Sequence, residues 1–419
     1  MNRSPLKNPE SLPERTPLLS VVIVNYESWS EVRRLVESLE VTPEVANGLC
    51  EVIVVDNASP SRPPADLWQA SGRGSGTRFL ARADNGGFSA GVNAGWQAAR
   101  SPWLLVLNPD VLIPDGELSS IVTRIVQYEA DPSQAPGIVG FKLLNPDGTR
   151  QPSVGVFPNL VRTVCGQLIP RSRRKYQPGW RTRSGPVAWV TGACMLLNSR
   201  MLAMLGGMDE DFFLYYEEVD LCRTAQNRGW SVMYDQDVEV VHLHPLQNRA
   251  ISPRMRVITR HSKLLYFRKH LPRWQFLTLS RIISLEAIVR RGGSMVQGRT
   301  DDGRAWRTIG EMARAFREGF EPRGRQVLTL ADSITAKTLA VTRGSLEGSH
   351  TTPQIVPAGS DEDRQLRRSS NRERTDRRVA DSTWSSSRPP YGRSCWAALM
   401  AQLPLGRHLR RRPALHPPG

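Results

Sequence analysis

Two apolar segments, LSVVIVN (Leu19–Asn25) and EVIVVD (residues 51–56), carry the clearest structural signal in the sequence. Both segments are short, β-branched and continuously apolar, which is typical of strands buried on both faces of a parallel sheet. Ser28 precedes Glu31 by three residues, a capping-box spacing that predicts the start of a helix between the strands. Apolar side chains recur on one face of this helix, at Val32, Leu35, Val36 and Leu39. The stretch therefore predicts a β-α-β unit.

The pattern repeats towards residue 110. A Gly-rich turn leads into a predicted helix over 85–99, and WLLVL (103–107) is a third buried strand. Ligand sites of doubly wound sheets lie along the carboxyl ends of the strands. The sequence thus predicts an α/β fold, a Rossmann-like and mostly parallel sheet with helices on both faces. Polar candidates at that edge are Asn25, Asp56, Asn57, Asn108 and Asp110.

Composition sets further limits. The 419 residues include 56 Lys and Arg against 40 Asp and Glu, a formal net charge of +16. Hydrophobic residues make up 39% and charged residues 23%, which excludes a disordered polymer and a polytopic membrane protein. The first 16 residues have no apolar signal region, and the longest uncharged apolar stretch, 187–197, is too short to span a bilayer. We therefore expect a cytoplasmic protein.

The five cysteines are odd in number and form no C-x-x-C pair, which argues against a disulfide framework or a structural zinc site. We expect reduced, buried thiols.

Much of the positive charge lies near the C-terminus. Residues 344–419 are mostly too polar to form a core, so we expect a disordered basic tail, and likewise a disordered N-terminus over 1–17. Residues 254–291 interleave arginines and lysines with apolar side chains, as in helices that lie on the inner face of a membrane. Packing of the same segment against the rest of the protein is the alternative.

Six blocks, in this order, resemble glycosyltransferase family 2 and within it the rhamnosyltransferase-like branch: VVIVNY, VIVVDNAS, NGGFSAGVNAGW, LLVLNPDV, TGACMLL and GGMDEDFFLYYEEVDLC. The resemblance implies a GT-A fold, a nucleotide-diphosphate sugar donor, a divalent metal (Mg²⁺ or Mn²⁺) and inversion at the anomeric carbon. It implies a catalytic domain over 18–250, with a nucleotide-sugar half (18–112) and an acceptor half (113–250). Residues 251–343 are then a helical extension that can associate with a membrane.

Donor contacts are expected from the polar residues of the first half. In similar enzymes the aspartate in the place of Asp56 contacts the nucleoside; the alternative is a strand-end turn in which Asp56 and Asn57 satisfy local donors. Close packing explains the glycines of 85–95 but not Asn85 and Asn93, so these two asparagines are functional candidates. No P-loop or G-x-G-x-x-G motif occurs, which disfavours an NTPase or a dinucleotide enzyme.

Asn108-Pro109-Asp110 stands where many GT-A enzymes have Asp-x-Asp. Asp110 is the expected metal ligand and Asn108 a neutral neighbour, and a simple Asn-Pro turn is the alternative. The resemblance also implies that a histidine completes the metal shell. His242 matches that place, with His244 as the fallback.

Three carboxylates, Glu217, Glu218 and Asp220, follow an aromatic run and begin a predicted helix. The resemblance assigns the general base to Glu218, with Glu217 and Asp220 as orienting or structural neighbours; stabilisation by the helix dipole is the alternative. Acceptor contacts are expected from Trp189, Thr191 and Gly192, although Trp189 also fits buried strand packing.

We therefore expect an inverting glycosyltransferase that passes a sugar, with rhamnose as a candidate, to a saccharide or lipid-linked glycan in cell-surface polysaccharide synthesis. The alternatives are a nucleotidyltransferase on a similar sheet and an inactive glycan-binding module. A specific nucleic-acid partner is not expected, because the basic tail lacks regularly interleaved aromatic residues.

Overall fold

A computed structural model describes residues 16–65, 67, 76–166, 183–244 and 251–332. The strands are β1 (Leu19–Asn25), β2 (Cys50–Asp56), β3 (Thr77–Ala81), β4 (Trp103–Leu107), β5 (Val111–Leu112), β6 (Ile138–Leu144), β7 (Arg150–Gln151), β8 (Val154–Gly155), β9 (Gly185–Pro186), β10 (Trp189–Val190), β11 (Cys194–Asn198) and β12 (Val232–His242). The helices are α1 (Trp29–Glu40), α2 (Pro43–Ala46), α3 (Phe88–Ala98), α4 (Glu117–Ala130), α5 (Leu160–Cys165), α6 (Ser199–Leu205), α7 (Glu217–Asn227), α8 (Pro253–His270), α9 (Arg273–Val296), α10 (Thr300–Glu318) and α11 (Arg325–Asp332).

The central sheet has the strand order β3-β2-β1-β4-β11-β6-β12-β5. Strand β1 pairs in parallel with β2 and β4, and β2 pairs in parallel with β3. Strand β11 runs antiparallel between β4 and β6, while β6 and β12 are parallel. The strand order reverses beside β1, which places a topological switch point at the carboxyl ends of β1 and β4. The predicted α/β class with a mostly parallel central sheet is confirmed.

Both faces of the sheet are buried. Val22 and Val24 of β1 join one hydrophobic cluster, with α3, α6, α7 and the C-terminal helices. Val21 and Ile23 join the other, with α1, α2 and α4. The continuous apolar runs of the sequence arise because successive side chains of a strand point to opposite faces, and here each face has a helical cover.

Helix α3 lies unusually close to β1. A Cβ on Gly91 would stand 2.5 Å from Val24 Cγ1, and one on Gly95 would stand 2.4 Å from Val22 Cγ1. The small residues one turn apart therefore serve the close approach of helix to sheet that the sequence indicates.

The capping box predicted at α1 does not form. Ser28 is the N-cap residue, but its side chain makes no capping hydrogen bond; its hydroxyl donates to Tyr26 O, and Glu31 accepts from Ser30. Asn25 Oδ1 instead accepts from the Ser28 N–H at 3.0 Å. The helix start is thus held by the end of β1 rather than by its own first turn.

The C-terminal helices share the buried cluster of one sheet face. Leu264, Tyr266 and Phe267 of α8 are buried in it, and the Ser262 hydroxyl donates to Leu214 O at 2.8 Å. Packing against the sheet, the alternative weighed for residues 254–291, is therefore observed for the inner sides of α8 and α9. Within the described ranges, none of the helices combines the length and apolarity needed to cross a membrane. The predicted disordered segments lie outside the described residues, except for residues 16 and 17, and the domain boundaries remain predictions.

Three of the cysteines, Cys50, Cys194 and Cys222, are buried free thiols, as expected. Burial raises the pKa of Cys50 and of Cys222 to about 12, so these thiols stay protonated and unreactive at neutral pH. Cys165 corrects the expectation, because it is exposed at the end of the short helix α5. Cys395 lies outside the described residues.

A buried carboxylate, Glu51 of β2, accepts from the Ser20 hydroxyl (2.6 Å), from Arg78 (2.8 Å) and from the backbone and side chain of Arg100. Burial alone would raise the pKa of Glu51, but these donors outweigh it and lower the pKa below 4.5.

We expect Glu51→Gln to lower the free energy of unfolding by about 1.5–3 kcal/mol, the range for a hydrogen bond to a charged group. Because the folded-state pKa is depressed, this difference should be present above pH 4.5 and vanish as the pH falls through the folded-state value. Urea denaturation at several pH values measures it, with the exposed Glu37→Gln as the control.

Candidate active site

A cleft of about 560 Å³ opens at the switch point of the sheet. The polar side chains predicted for the site line it from four places in the sequence: Asn57 after β2, Asn85 before α3, Asn108 and Asp110 after β4, and His242 and His244 at the end of β12. The carboxyl ends of buried strands meet there, which is why separate sequence blocks converge on one place.

The side-chain amide of Asn57 has a bonded nitrogen and a buried oxygen without a partner among the described residues. Its Nδ2 donates to Asn85 Oδ1 (3.0 Å) and to Gly87 O (2.8 Å). Its Oδ1 is buried and accepts no hydrogen bond from the described residues. A buried acceptor without a donor is costly, so this oxygen at the cleft is suited to accept from a ligand N–H or hydroxyl.

The turn before α3 admits only glycine at its tightest point. Gly87 has φ +89°, and a Cβ there would stand 2.1 Å from Phe213 O. The Phe88 N–H donates to that same carbonyl at 2.9 Å. The turn thus packs directly against the aromatic loop that precedes α7, and the two segments together form one wall of the cleft.

We expect Gly87→Ala to destabilise the protein by several kcal/mol, because left-handed strain of about 1–3 kcal/mol adds to a direct clash with backbone. Gly116→Ala is the matched control: Gly116 has φ +82° but open space around it, so that variant should show the strain alone. Thermal unfolding of both variants measures the difference; equal losses would show that the contact with Phe213 is unimportant.

Asp110 and His242 face each other on the floor of the cleft. Asp110 Oδ1 lies 3.4 Å from His242 Nε2, and both side chains are largely buried. The Leu243 N–H donates to Asp110 O at 2.9 Å, which fixes the end of β12 to the turn after β4. The other ring nitrogen of His242, Nδ1, lies 3.1 Å from the side-chain amide of the buried Gln151.

The carboxylates predicted around the base begin α7 and are buried, with exposures of 7% for Glu217 and 4% for Glu218. A Cβ on Gly192 would lie 3.7 Å from both Glu218 Cβ and Phe88 Cε1, so Glu218 lies close to Phe88, which lines the cleft, although neither glutamate lines it. The preceding Tyr215 and Tyr216 both have φ +69°, a left-handed conformation that costs about 1–3 kcal/mol each. Such strain is typical of functional loops.

Asp220 has a different role from its two neighbours. Its Oδ1 accepts from His270 Nε2 at 2.5 Å, and its Oδ2 accepts from Lys269 at 2.9 Å. Burial lowers the pKa of Lys269, but Asp220 and Asp209 outweigh it and raise that pKa above its usual value. The contacts make Asp220 an anchor between α7 and the end of α8, the structural role that the sequence left open.

Several predicted residues lie outside the cleft lining. Asp56 accepts from Asn25 Nδ2 (3.0 Å) and from the backbone and hydroxyl of Ser59, which is the strand-end turn weighed as the alternative. Asn93 is buried and bonded to the backbone of Met208 and to Glu210. Donor contacts by Asn25, Asp56 and Asn93 remain predictions.

On the acceptor side, Trp189 is buried in β10, and its indole N–H donates to Val156 O at 3.0 Å. The Thr191 N–H donates to Ser153 O, and this backbone hydrogen bond holds the segment that leads to Gly192. Strand packing therefore accounts for Trp189. Gly192 is the member of this group that contacts the region of Glu218.

The sequence did not indicate the contacts of three further residues, Gln151, Lys269 and His270. Gln151 belongs to a strand of two residues, too short to give a periodic signal. Lys269 and His270 lie at the end of a basic helix, where positive charge is ordinary. Their contacts with His242 and Asp220 span about 50 to 91 residues of sequence, so no local pattern could have identified them.

Comparison with known proteins identifies the domain. Residues 20–204 match Glycosyl transferase family 2. The chain is 28% identical over 274 residues to N-acetylglucosaminyl-diphospho-decaprenol L-rhamnosyltransferase of Mycobacterium tuberculosis, covering 60% of this chain and 84% of that protein. It is 27% identical over 292 residues to the low-salt glycan biosynthesis hexosyltransferase Agl10 of Haloferax volcanii, covering 65% of this chain and 84% of the relative.

Among solved structures, the mannosyltransferase PcManGT of Pyrobaculum calidifontis, in complex with GDP-Man and Mn²⁺, aligns with a TM-score of 0.41 and 15% identity over 82% of this chain and 83% of that one. The family match covers the segment that carries Asn57, Asn85 and Asp110, three of the residues that line the cleft. Residues 20–204 therefore match glycosyl transferase family 2, and the chain is similar to a rhamnosyltransferase and to a glycan hexosyltransferase.

Proposed function

We propose that this chain transfers a sugar from a nucleotide-diphosphate donor to a lipid-linked glycan, with inversion, during synthesis of a cell-surface polysaccharide. The observation that carries the proposal is the meeting of Asp110 and His242, 3.4 Å apart, on the floor of the cleft at the switch point. The rhamnosyltransferase relative, named for a diphospho-decaprenol acceptor, supports rhamnose as the sugar and a polyprenyl diphosphate as the carrier of the acceptor.

Asp110 and His242 fit a divalent metal. Two ligand atoms about 2.1 Å from one Mg²⁺ or Mn²⁺ ion stand about 3 Å apart when adjacent, close to the observed separation. No group of three or more His, Cys, Asp or Glu side chains suited to a metal occurs in the described part of the chain. The protein thus offers a partial shell, and the donor diphosphate would supply the rest. When bound, the ion would neutralise the charge of the departing diphosphate.

Gln151 would orient His242 for this role. A histidine that binds a metal through Nε2 carries its proton on Nδ1, and a partner there must accept. The amide of Gln151 lies at Nδ1, and its buried Oε1 has no partner among the described residues in the orientation shown. Because the amide oxygen and nitrogen exchange places by a flip, we propose that Oε1 accepts the Nδ1 proton.

We expect Gln151→Leu to weaken Mn²⁺ binding about 10–100-fold when the nucleotide diphosphate is present, the usual effect of losing such an outer partner. Gln151→Glu keeps an acceptor at Nδ1 and should bind Mn²⁺ nearly as well as the native chain. Calorimetric titration of Mn²⁺ into the protein with nucleotide measures both. Equal weakening in the two variants would indicate a packing role for Gln151.

The donor would lie along the asparagines. Asn57 Oδ1 is the buried acceptor available to it, Asn85 holds the Asn57 amide in place, and Asn108 stands beside the metal ligands. Glu218 would then accept the proton of the acceptor hydroxyl, whose oxygen attacks the anomeric carbon as the bond to the diphosphate breaks. Attack opposite the leaving diphosphate inverts the configuration. Glu217 lies about 100° from Glu218 around the helix and is a supporting neighbour.

Titration with a panel of UDP-, GDP- and dTDP-linked sugars, with and without Mn²⁺, tests the proposal. We expect one nucleotide-diphosphate sugar to bind and Mn²⁺ to strengthen its binding. Preferential binding of a nucleoside triphosphate together with a sugar 1-phosphate would instead identify a nucleotidyltransferase.

A further inference from the structure

The outer side of α9 carries a row of exposed apolar side chains. Trp274, Ile282, Leu285, Ile288, Val289 and Val296 are between 42% and 90% exposed. We call this row the outer face of α9. Its spacing places all six side chains within one side of the helix, over a length of about 33 Å. Single exposed apolar residues are ordinary, but four of these six, Ile282, Leu285, Ile288 and Val289, follow one another along the face, with Arg281 exposed beside them, and such a cluster marks an interaction surface.

The outer face is additional to the packing that holds the helix. Phe276, Leu279, Ile283 and Ala287 lie on the opposite side of α9 and are buried in the main hydrophobic cluster. Helix α9 is therefore apolar on two sides, and the protein covers one of them in the described residues.

The exposed charges of α9 around the outer face are mostly positive. Arg273, Arg281 and Arg291 are exposed on the same helix. Glu286 is the sole acidic residue of α9, and it is bonded to Arg260 at 2.9 Å and to Arg290 at 3.1 Å. The arginines of the outer face thus have no free carboxylate beside them on this helix.

A cationic cleft adjoins the C-terminal end of the outer face. It has a volume of about 360 Å³ and is lined by Arg291, Arg299, Arg304 and Arg307, together with Met295. Asp301 pairs with Arg304 at 2.7 Å, and Glu311 lies 3.9 Å from Arg307. Arg291 and Arg299 are exposed at the rim of this cleft, where they can bind phosphates.

We propose that the outer face of α9 lies on the surface of an anionic phospholipid bilayer, with lipid phosphates at the cationic cleft. Apolar side chains flanked by arginines match the interfacial region of such a bilayer, which offers hydrocarbon and negative charge together. A second copy of the chain fits less well, because an isologous contact would bring the arginines of two outer faces together without carboxylates to balance them. This surface lies outside the sugar-transfer site, and its test does not depend on activity.

Vesicle co-sedimentation of the full chain tests the proposal. Vesicles with about a third phosphatidylglycerol should bind the chain, vesicles of phosphatidylcholine alone should bind it weakly, and salt should reduce the binding. The double variant Leu285→Glu with Ile288→Glu should lower binding at least about tenfold. The double variant Arg291→Glu with Arg299→Glu should lower binding to anionic vesicles by a similar factor.

Val126→Glu is the matched control, because Val126 is a 56% exposed apolar residue on α4, on the other side of the sheet. It should bind vesicles as the native chain does. If the Leu285 and Ile288 variant also bound normally, another part of the chain would hold the membrane and the proposal would be wrong. A native dimer that this variant converts to a monomer in analytical ultracentrifugation would contradict it as well.

A second readout uses the native chain. Bilayers with brominated acyl chains should quench the fluorescence of Trp274, so the quenching should fall in Trp274→Ala. Unchanged quenching in that variant would show that α9 does not enter the bilayer.

Discussion

Glu218→Gln is expected to lower turnover about 10²–10⁴-fold while nucleotide-sugar binding stays unchanged. The amide is close in size to the carboxylate but cannot accept the proton of the acceptor hydroxyl. The proposed donor contacts come from Asn57 and Asp110, at the ends of other strands, so donor affinity should survive. The rate at saturating substrate should also lose its acidic limb, because the group whose protonation stops the reaction is gone. Steady-state kinetics across pH, with calorimetric donor binding, measures both effects.

Glu217→Gln is the control for this prediction. The two carboxylates are adjacent and similarly buried, so a general loss of charge at the start of α7 would affect both variants alike. Only one of them can face the acceptor, because adjacent helical residues point about 100° apart. If the Glu217 variant were inactive and the Glu218 variant active, Glu217 would be the general base. Equal and modest losses would favour stabilisation of the helix dipole.

Asp110→Asn is expected to remove metal-dependent donor binding. Loss of an outer partner of a metal ligand weakens binding about 10–100-fold, and loss of a carboxylate that contacts the ion should exceed that range. The backbone bond from Leu243 to Asp110 O does not depend on the side chain, so the turn should keep its shape. Calorimetry with the donor, with and without Mn²⁺, measures the effect. Asn108→Ala should weaken binding without abolishing it, and unchanged metal affinity in the Asp110 variant would refute the assignment.

The sheet could be predicted from the sequence because its strands are buried on both faces. Strands β1 and β4 have the predicted bounds, β2 begins one residue earlier than expected, and α7 begins at the predicted glutamates. The capping box at Ser28 failed because Asn25 Oδ1, at the end of β1 and as close in sequence as Glu31, accepts from the Ser28 N–H that Glu31 would otherwise bond. Local motifs predict a fold poorly where a neighbouring strand offers a better partner.

The site was partly predictable for a similar reason. Residues that follow strands, such as Asn57 and Asp110, reach the cleft because the fold brings strand ends together. Asn93 stands within a helix, and its neighbours in space, Met208 and Glu210, are more than a hundred residues away in sequence. The spacing of apolar residues in α9 could not show which side of the helix the protein covers, because the helix is apolar on two sides.

The most direct test of the proposed function is analysis by NMR of the product formed by the purified chain from its nucleotide-diphosphate sugar and a polyprenyl-diphosphate-linked saccharide. We expect a glycosidic bond of inverted anomeric configuration and release of the nucleoside diphosphate in equal amount, with both products lost in Asp110→Asn and strongly reduced in Glu218→Gln. A product of retained configuration would contradict inversion, and release of pyrophosphate with a new nucleotide-sugar bond would contradict sugar transfer.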